Sequence, residues 1–172
     1  MKRKIEMKVS IVSNATPLIA LVSLNQLNLL NMLFDKIYIP KQVYEEVVGS
    51  DENRIGSKEL KKKIQEGELL RYDIRDYKFV EMMLGRLHRG ELAVMVAAKE
   101  LRINYVLMDD ASARKTAESF SLVPIGTVGI LKLAKIKGLI PEIKLLLDKL
   151  IENNFRISLR LYNDILKDVN EL

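Results

Sequence analysis

The acidic residues of this chain carry its main chemical potential. Glu45 and Glu46 stand in KQVYEEVV, Glu91 opens GELAVMVAAKE, and Asp109 and Asp110 form the pair in VLMDDASARK. Asn14, in IVSNATPL, adds an amide oxygen. Hard divalent cations such as Mg2+ or Mn2+ take oxygen ligands, and carboxylates supply oxygen together with charge. Ions held this way polarise phosphoryl oxygens and activate water, the chemistry of phosphodiester hydrolysis. Other routes are closed by composition. With no Cys there is no zinc–thiolate site, disulfide or thiol nucleophile. The single His, His88, argues against a His-rich metal site or a Ser–His–Asp triad. No Gly-rich phosphate loop follows the first apolar run, where the chain reads SNATPL.

Each acid also has an ordinary structural use. Asp110 suits the N-cap of ASARKTAESF, Glu91 in a first turn answers the helix dipole, and Asn14 suits a turn. Glu45 and Glu46 flank the apolar stripe of Val43, Tyr44, Val47 and Val48 on opposite edges, so periodicity does not choose between them. These residues gain meaning only if the fold gathers them.

The elements that would do so alternate in type. Val9 to Ser13 reads as a buried strand, and Thr16-Pro17 as an N-cap and first-turn proline. A helical pattern follows over Leu18 to Phe34, broken near Ser23 to Asn25. Lys36 to Ile39 is a second strand, and Pro40 opens a helix that Gly49 ends. Asp51 to Gly67 reads as a polar loop and a Lys-rich helix, and Leu69 to Ile74 as an edge strand. Gly90 to Arg102 is apolar almost all round, which predicts a buried helix. Two strands, Tyr105 to Met108 and Val123 to Ile125, alternate with helices over Asp110 to Phe120 and Thr127 to Lys137. Helices near Pro141 to Glu152 and Ser158 to Val169 close the chain. This order predicts a mostly parallel twisted sheet covered on both faces, a three-layer α/β/α sandwich. Its functional groups should gather at the carboxyl ends of the strands. One domain over 1–172 is expected, with a core over about 9–165 and a charged extension at 1–8.

Taken together and in order, IVSNATPLIAL, YIPKQVYEEVV, LHRGELAVMVAAKE, VLMDDASARKTAE and VPIGTVGILKLAK resemble the PIN-domain proteins. Among these, the chain is most similar to a prokaryotic PIN-like subgroup of unknown function related to toxin–antitoxin ribonucleases. The resemblance spans 9 to 165. It implies a doubly wound parallel sheet, three or four acids holding Mg2+ or Mn2+, and a metal-dependent endoribonuclease. Carried over, the first family acid falls at Asn14, the second at Glu46 and the third at Glu91. The fourth falls at Asp109 or Asp110, with Asp110 favoured because it directly precedes the helix. Position 14 departs from the pattern. An amide ligates a cation but brings no charge, so the resemblance also leaves room for an attenuated domain acting as an RNA-binding or assembly module. An RNA substrate, a homodimer and a small antitoxin are the partners it implies.

A net charge of +5 favours a polyanionic partner. Arg89 and Arg114, with Arg86, flank the acids and are candidates for phosphate contact, and Thr127 is a candidate lining residue. Lys58 and Lys61 to Lys63 form a basic cluster whose ordinary use is a solvated helix face. Met1 to Lys8 has no apolar run of signal-peptide type, and the apolar stretches fall short of the ~20 residues of a membrane span. A cytoplasmic protein is expected.

Overall fold

The computed structural model describes residues 7–49 and 51–172, so most of the expected charged extension at 1–8 lies outside the described residues. The strands are β1 (Ile11–Ser13), β2 (Ile37–Pro40), β3 (Leu70–Tyr72), β4 (Tyr105–Leu107) and β5 (Val123–Ile125). All their pairings are parallel, in the order β3-β2-β1-β4-β5. The helices flanking this sheet are α1 (Ala15–Ser23), α2 (Leu29–Leu33), α3 (Lys41–Val48), α4 (Ser57–Gln65), α5 (Tyr77–Met83), α6 (Arg89–Leu101), α7 (Ala111–Ser119), α8 (Thr127–Ile136), α9 (Lys144–Glu152) and α10 (Leu159–Asp168). The result is a PIN-like α/β/α sandwich.

The central strands are short and apolar because both faces are covered. Ile11, Val12, Ile37, Ile39, Val106 and Leu107 are wholly buried. Helix α6 is the buried helix that its sequence predicts. Gly90 to Ala98 are buried without interruption, and the helix packs across β1, β2 and β4. From β1 the chain builds outward through β2 and β3, then returns to β4 on the other side of β1. The sheet therefore reverses its order between β1 and β4, where parallel sheets form their ligand crevices.

Helix α1 begins earlier than the Thr16-Pro17 pair suggests. Asn14 occupies the N-cap position, and Pro17 falls in the first turn, where a missing N–H leaves no intrahelical bond broken. The break after Ser23 is real, with Asn25 in the left-handed region at φ 55°. Helix α5 has no counterpart in the sequence reading. It is capped by Asp76, whose carboxylate accepts from the Phe79 N–H at 3.1 Å. Among the described residues, no helix is long and apolar enough to cross a membrane.

Candidate functional site

Asn14 leaves the carboxyl end of β1. Its N–H donates to the Leu107 carbonyl at 2.9 Å, which locks it beside the end of β4. The residue is only 6% exposed, yet its side-chain amide has no hydrogen bond among the described residues. The amide atoms are not among the fully buried unpartnered polar atoms, so they keep contact with solvent and can accept a ligand or water.

Glu46 approaches Asn14 from α3. Both converge on Gly90 in the first turn of α6. A Cβ on Gly90 would lie 2.8 Å from Glu46 Oε2 and 3.4 Å from Asn14 Oδ1. The glycine thus leaves open a cradle that any side chain would fill. Glu45 turns the other way, toward Lys41 at 3.9 Å, so packing separates the two glutamates that periodicity left equal. Glu91, 8% exposed, sits behind the cradle and accepts from the His88 N–H at 3.1 Å, as a residue in a first helical turn does. The Glu46 carboxyl titrates above its ordinary range. The residue is exposed as a whole, but partial desolvation of its carboxyl is the main cause; His88 draws it back down, and Glu91 raises it again.

The aspartates divide at the end of β4. Asp110 caps α7, accepting from the Ala113 N–H at 2.8 Å, so its ordinary structural use is realised. Asp109 turns toward the start of α8 and accepts from the Thr127 N–H and hydroxyl, both at 2.7 Å. Thr127 is fully buried and opens α8 directly after Gly126, which holds the N-cap position. Burial pushes the Asp109 carboxyl up, against the Thr127 bonds and the Arg114 charge, and burial prevails. Gly126 repeats the device of Gly90. A Cβ there would meet Arg114 Nη1 at 2.7 Å and Asp109 Oδ1 at 3.1 Å.

The acids expected from the sequence therefore form two adjoining groups. Asn14, Glu46 and Glu91 gather around Gly90, while Asp109 and Asp110 stand at the end of β4 with Arg114 and Thr127. Among the described residues, no three His, Asp or Glu side chains form a ready-made cage. Magnesium does not require one, since it binds through one or two carboxylates and keeps several waters. The unpartnered Asn14 amide, the cradle at Gly90 and the all-oxygen donor set fit such an ion.

Of the basic candidates, Arg89 and Lys61 to Lys63 have other engagements. Arg89 pairs with Glu81 at 2.6 Å on the surface. Lys61 pairs with Glu52, Lys62 lies 4.0 Å from Glu66, and Lys63 holds Glu68 and Asn28. Nothing in the sequence alone marks Gly90 and Gly126 as functional positions beyond a glycine at or beside a helix start, where propensity favours other residues.

A family model described as a PIN domain matches residues 10–171. No curated protein and no solved structure matches the chain. The chain belongs to the PIN-domain family, a family of nuclease-type hydrolases.

Proposed function

We propose that the chain is an endoribonuclease that hydrolyses RNA phosphodiester bonds with Mg2+ or Mn2+. The observation that carries this reading is the convergence of Asn14 Oδ1 and Glu46 Oε2 on the bare face of Gly90, beside the Asp109–Asp110 pair. Asn14, Glu46 and Glu91 would hold the ion, with Asp109 and Asp110 completing the negative surface. A divalent ion bound there polarises phosphoryl oxygen and lowers the pKa of water.

The remaining residues position and balance. Thr127 fixes both oxygens of Asp109, so that carboxylate cannot swing away. The Arg114 guanidinium stands beside Asp109 and lines a cleft that Asp109 and Asp110 also line, where it can meet a phosphate oxygen. His88 lowers the proton affinity of Glu46 and favours its ionised form.

The test is cleavage of an end-labelled single-stranded RNA with each metal and with a chelator. Glu91→Gln and Asp110→Asn are expected to fold and lose cleavage, since Asn caps a helix as well as Asp does. Cleavage that survives both changes, or that ignores the chelator, overturns the assignment. A second reading, an attenuated domain that binds RNA or assembles with other proteins, is favoured by the neutral Asn14. A toxin role, with a small antitoxin and a homodimer, belongs to the same proposal. Leu145, Leu159 and Leu161 expose apolar surface on α9 and α10 that a second copy would cover, and sedimentation of the purified chain tests it.

A further inference from the structure

A cleft of about 840 Å³ opens directly beside Asp109 and Asp110. Its far wall is α8, α10 and the linker between α9 and α10, which carries Phe155 and Arg156. That linker is held at both ends. Asn154 takes the left-handed conformation at φ 64°, its N–H donates to the Ile151 carbonyl, and the Phe155 N–H donates to the Leu150 carbonyl at 2.9 Å. These are the paired hydrogen bonds of a Schellman close. At the other end the Ser158 hydroxyl caps α10 through the Leu161 N–H at 3.1 Å. Phe155 is half-buried. It packs on the core and also lines the cleft, and it lines the adjoining groove with Thr16, Ile19 and Ile55.

The charges of the cleft sort themselves. Asp168 is paired with Lys132 at 2.5 Å, and Asp164 lies 3.8 Å from Arg160. Arg156 and Arg114 have no ion pair within 4.0 Å among the described residues, so two guanidinium groups face a cleft in which Asp109 and Asp110 are likewise outside any ion pair.

We propose that Phe155 and Arg156 form a subsite for one nucleotide of a single-stranded RNA lying in this cleft. Phe155 stacks on the base and Arg156 pairs with a phosphate. The proposal rests on the ribonuclease reading above and adds to it a place where the strand is gripped. Aromatic stacking accepts any base, and a duplex hides its base faces, so the subsite selects unpaired strands without selecting sequence. Fixing the linker at both ends means little order is lost when the base arrives.

The test measures fluorescence anisotropy of a labelled single-stranded oligoribonucleotide in Ca2+, and separately its cleavage in Mn2+. Phe155→Leu keeps an apolar plug under the linker, and Arg156→Gln changes an exposed residue. Both are expected to melt as the parent does and to bind Mn2+ unchanged. Each should weaken RNA binding about tenfold, the scale of one stacking contact. Arg156→Gln should also lower the slope of log affinity against log salt by about 0.7, one phosphate contact on a single strand. Phe155→Trp should retain affinity. If the parent binds and cuts RNA while both variants bind equally well, the subsite is overturned and the nuclease reading stands. If the parent neither binds nor cuts RNA, both fall together.

Discussion

Replacing Gly90 by Ala should separate stability from ion binding. Gly90 lies in the first turn of α6, and its φ is not in the region reserved for glycine. Alanine gains up to about 1 kcal/mol of helix propensity over glycine. Against this, the new Cβ would stand 2.8 Å from Glu46 Oε2, too close for any real contact. Glu46 reaches Gly90 from the exposed side of α3, so the carboxylate can retreat by several tenths of an ångström. Moving its side chain off its preferred rotamer costs about 0.5–1.5 kcal/mol. The two terms nearly cancel, and Tm should shift by no more than about 4 °C. Ion binding has no such compensation. The methyl group fills the cradle between Glu46 and Asn14, and an octahedral ion tolerates little displacement of a ligand. Mn2+ affinity should fall about tenfold, roughly 1.4 kcal/mol. Titration calorimetry with Mn2+ and a thermal melt on the same sample read both quantities. Glu45→Gln, on the same helix but facing Lys41, is the control and should change neither. Parent-like Mn2+ affinity in Gly90→Ala, with an unchanged melt, would show that the ion does not use this corner.

Four further outcomes follow from the structure. Asn14→Asp should raise Mn2+ affinity about tenfold and lower Tm in chelator, because a new carboxylate faces Glu46 with no cation between them; equal affinity for both forms would remove the attenuated reading. Glu46 and Asp109 both titrate above the ordinary carboxylate range, so Mn2+ uptake should decline on acidification while model carboxylates are still ionised. Their linkage to stability has the matching sign: the contribution of these two groups is complete below their unfolded values near pH 4 and is lost as pH rises through the raised folded values. In chelator at neutral pH, Asp109→Asn should therefore melt above the parent, while Glu46→Gln, on the exposed side of α3, adds little; a lower melt for Asp109→Asn would contradict the burial assigned to that acid. Glu171 behaves oppositely, since burial raises its carboxyl but the Ile143 and Lys144 N–H groups and Lys135 together hold it below the usual range. Its stabilisation is present above about pH 4.3 and fades as pH falls through the lowered value. Glu171→Ala should cost about 2 kcal/mol by urea denaturation, mostly from two uncapped N–H groups at the start of α9, and should leave Mn2+ affinity alone.

The architecture was legible wherever local pattern and burial coincide. The apolar runs at β1, β2 and β4 are wholly buried strands, and the all-round apolar character of α6 marks the helix buried across them. Gly49 ends α3 as read, with φ 51°. Helix α5 escaped because its sequence, YKFVEMM, buries only Val80 and shows no stripe. The start of α1 was misplaced because Thr-Pro is a strong cap signal, while Asn14 fills the cap position without making the side-chain bond that normally identifies one. That amide is left free for something else.

The same contrast divides the site. Asp110 bonds three residues ahead, within its own helix, so its capping role could be read from sequence. Asp109 bonds Thr127 only because β4 and β5 lie side by side in the register Leu107 to Ile125, a fact of pairing that no local pattern carries. Periodicity leaves Glu46 and Glu45 equal; the family pattern selects Glu46, and its contact with Gly90 on another helix gives the physical reason. Residue types were therefore visible before the fold, but their grouping into two acidic sets was not. The grouping alters the meaning of Asn14. It stands at the end of β1, bonded through its backbone to β4 and facing Glu46 through its side chain. It is a neutral donor where the two negative sets adjoin. A carboxylate there would add repulsion that only a cation relieves, whereas an amide lets the sets stand close without one. The amide thus exchanges ion affinity for stability in the ion-free state, and the opposite responses expected of Asn14→Asp in chelator and in Mn2+ are two readings of that one exchange.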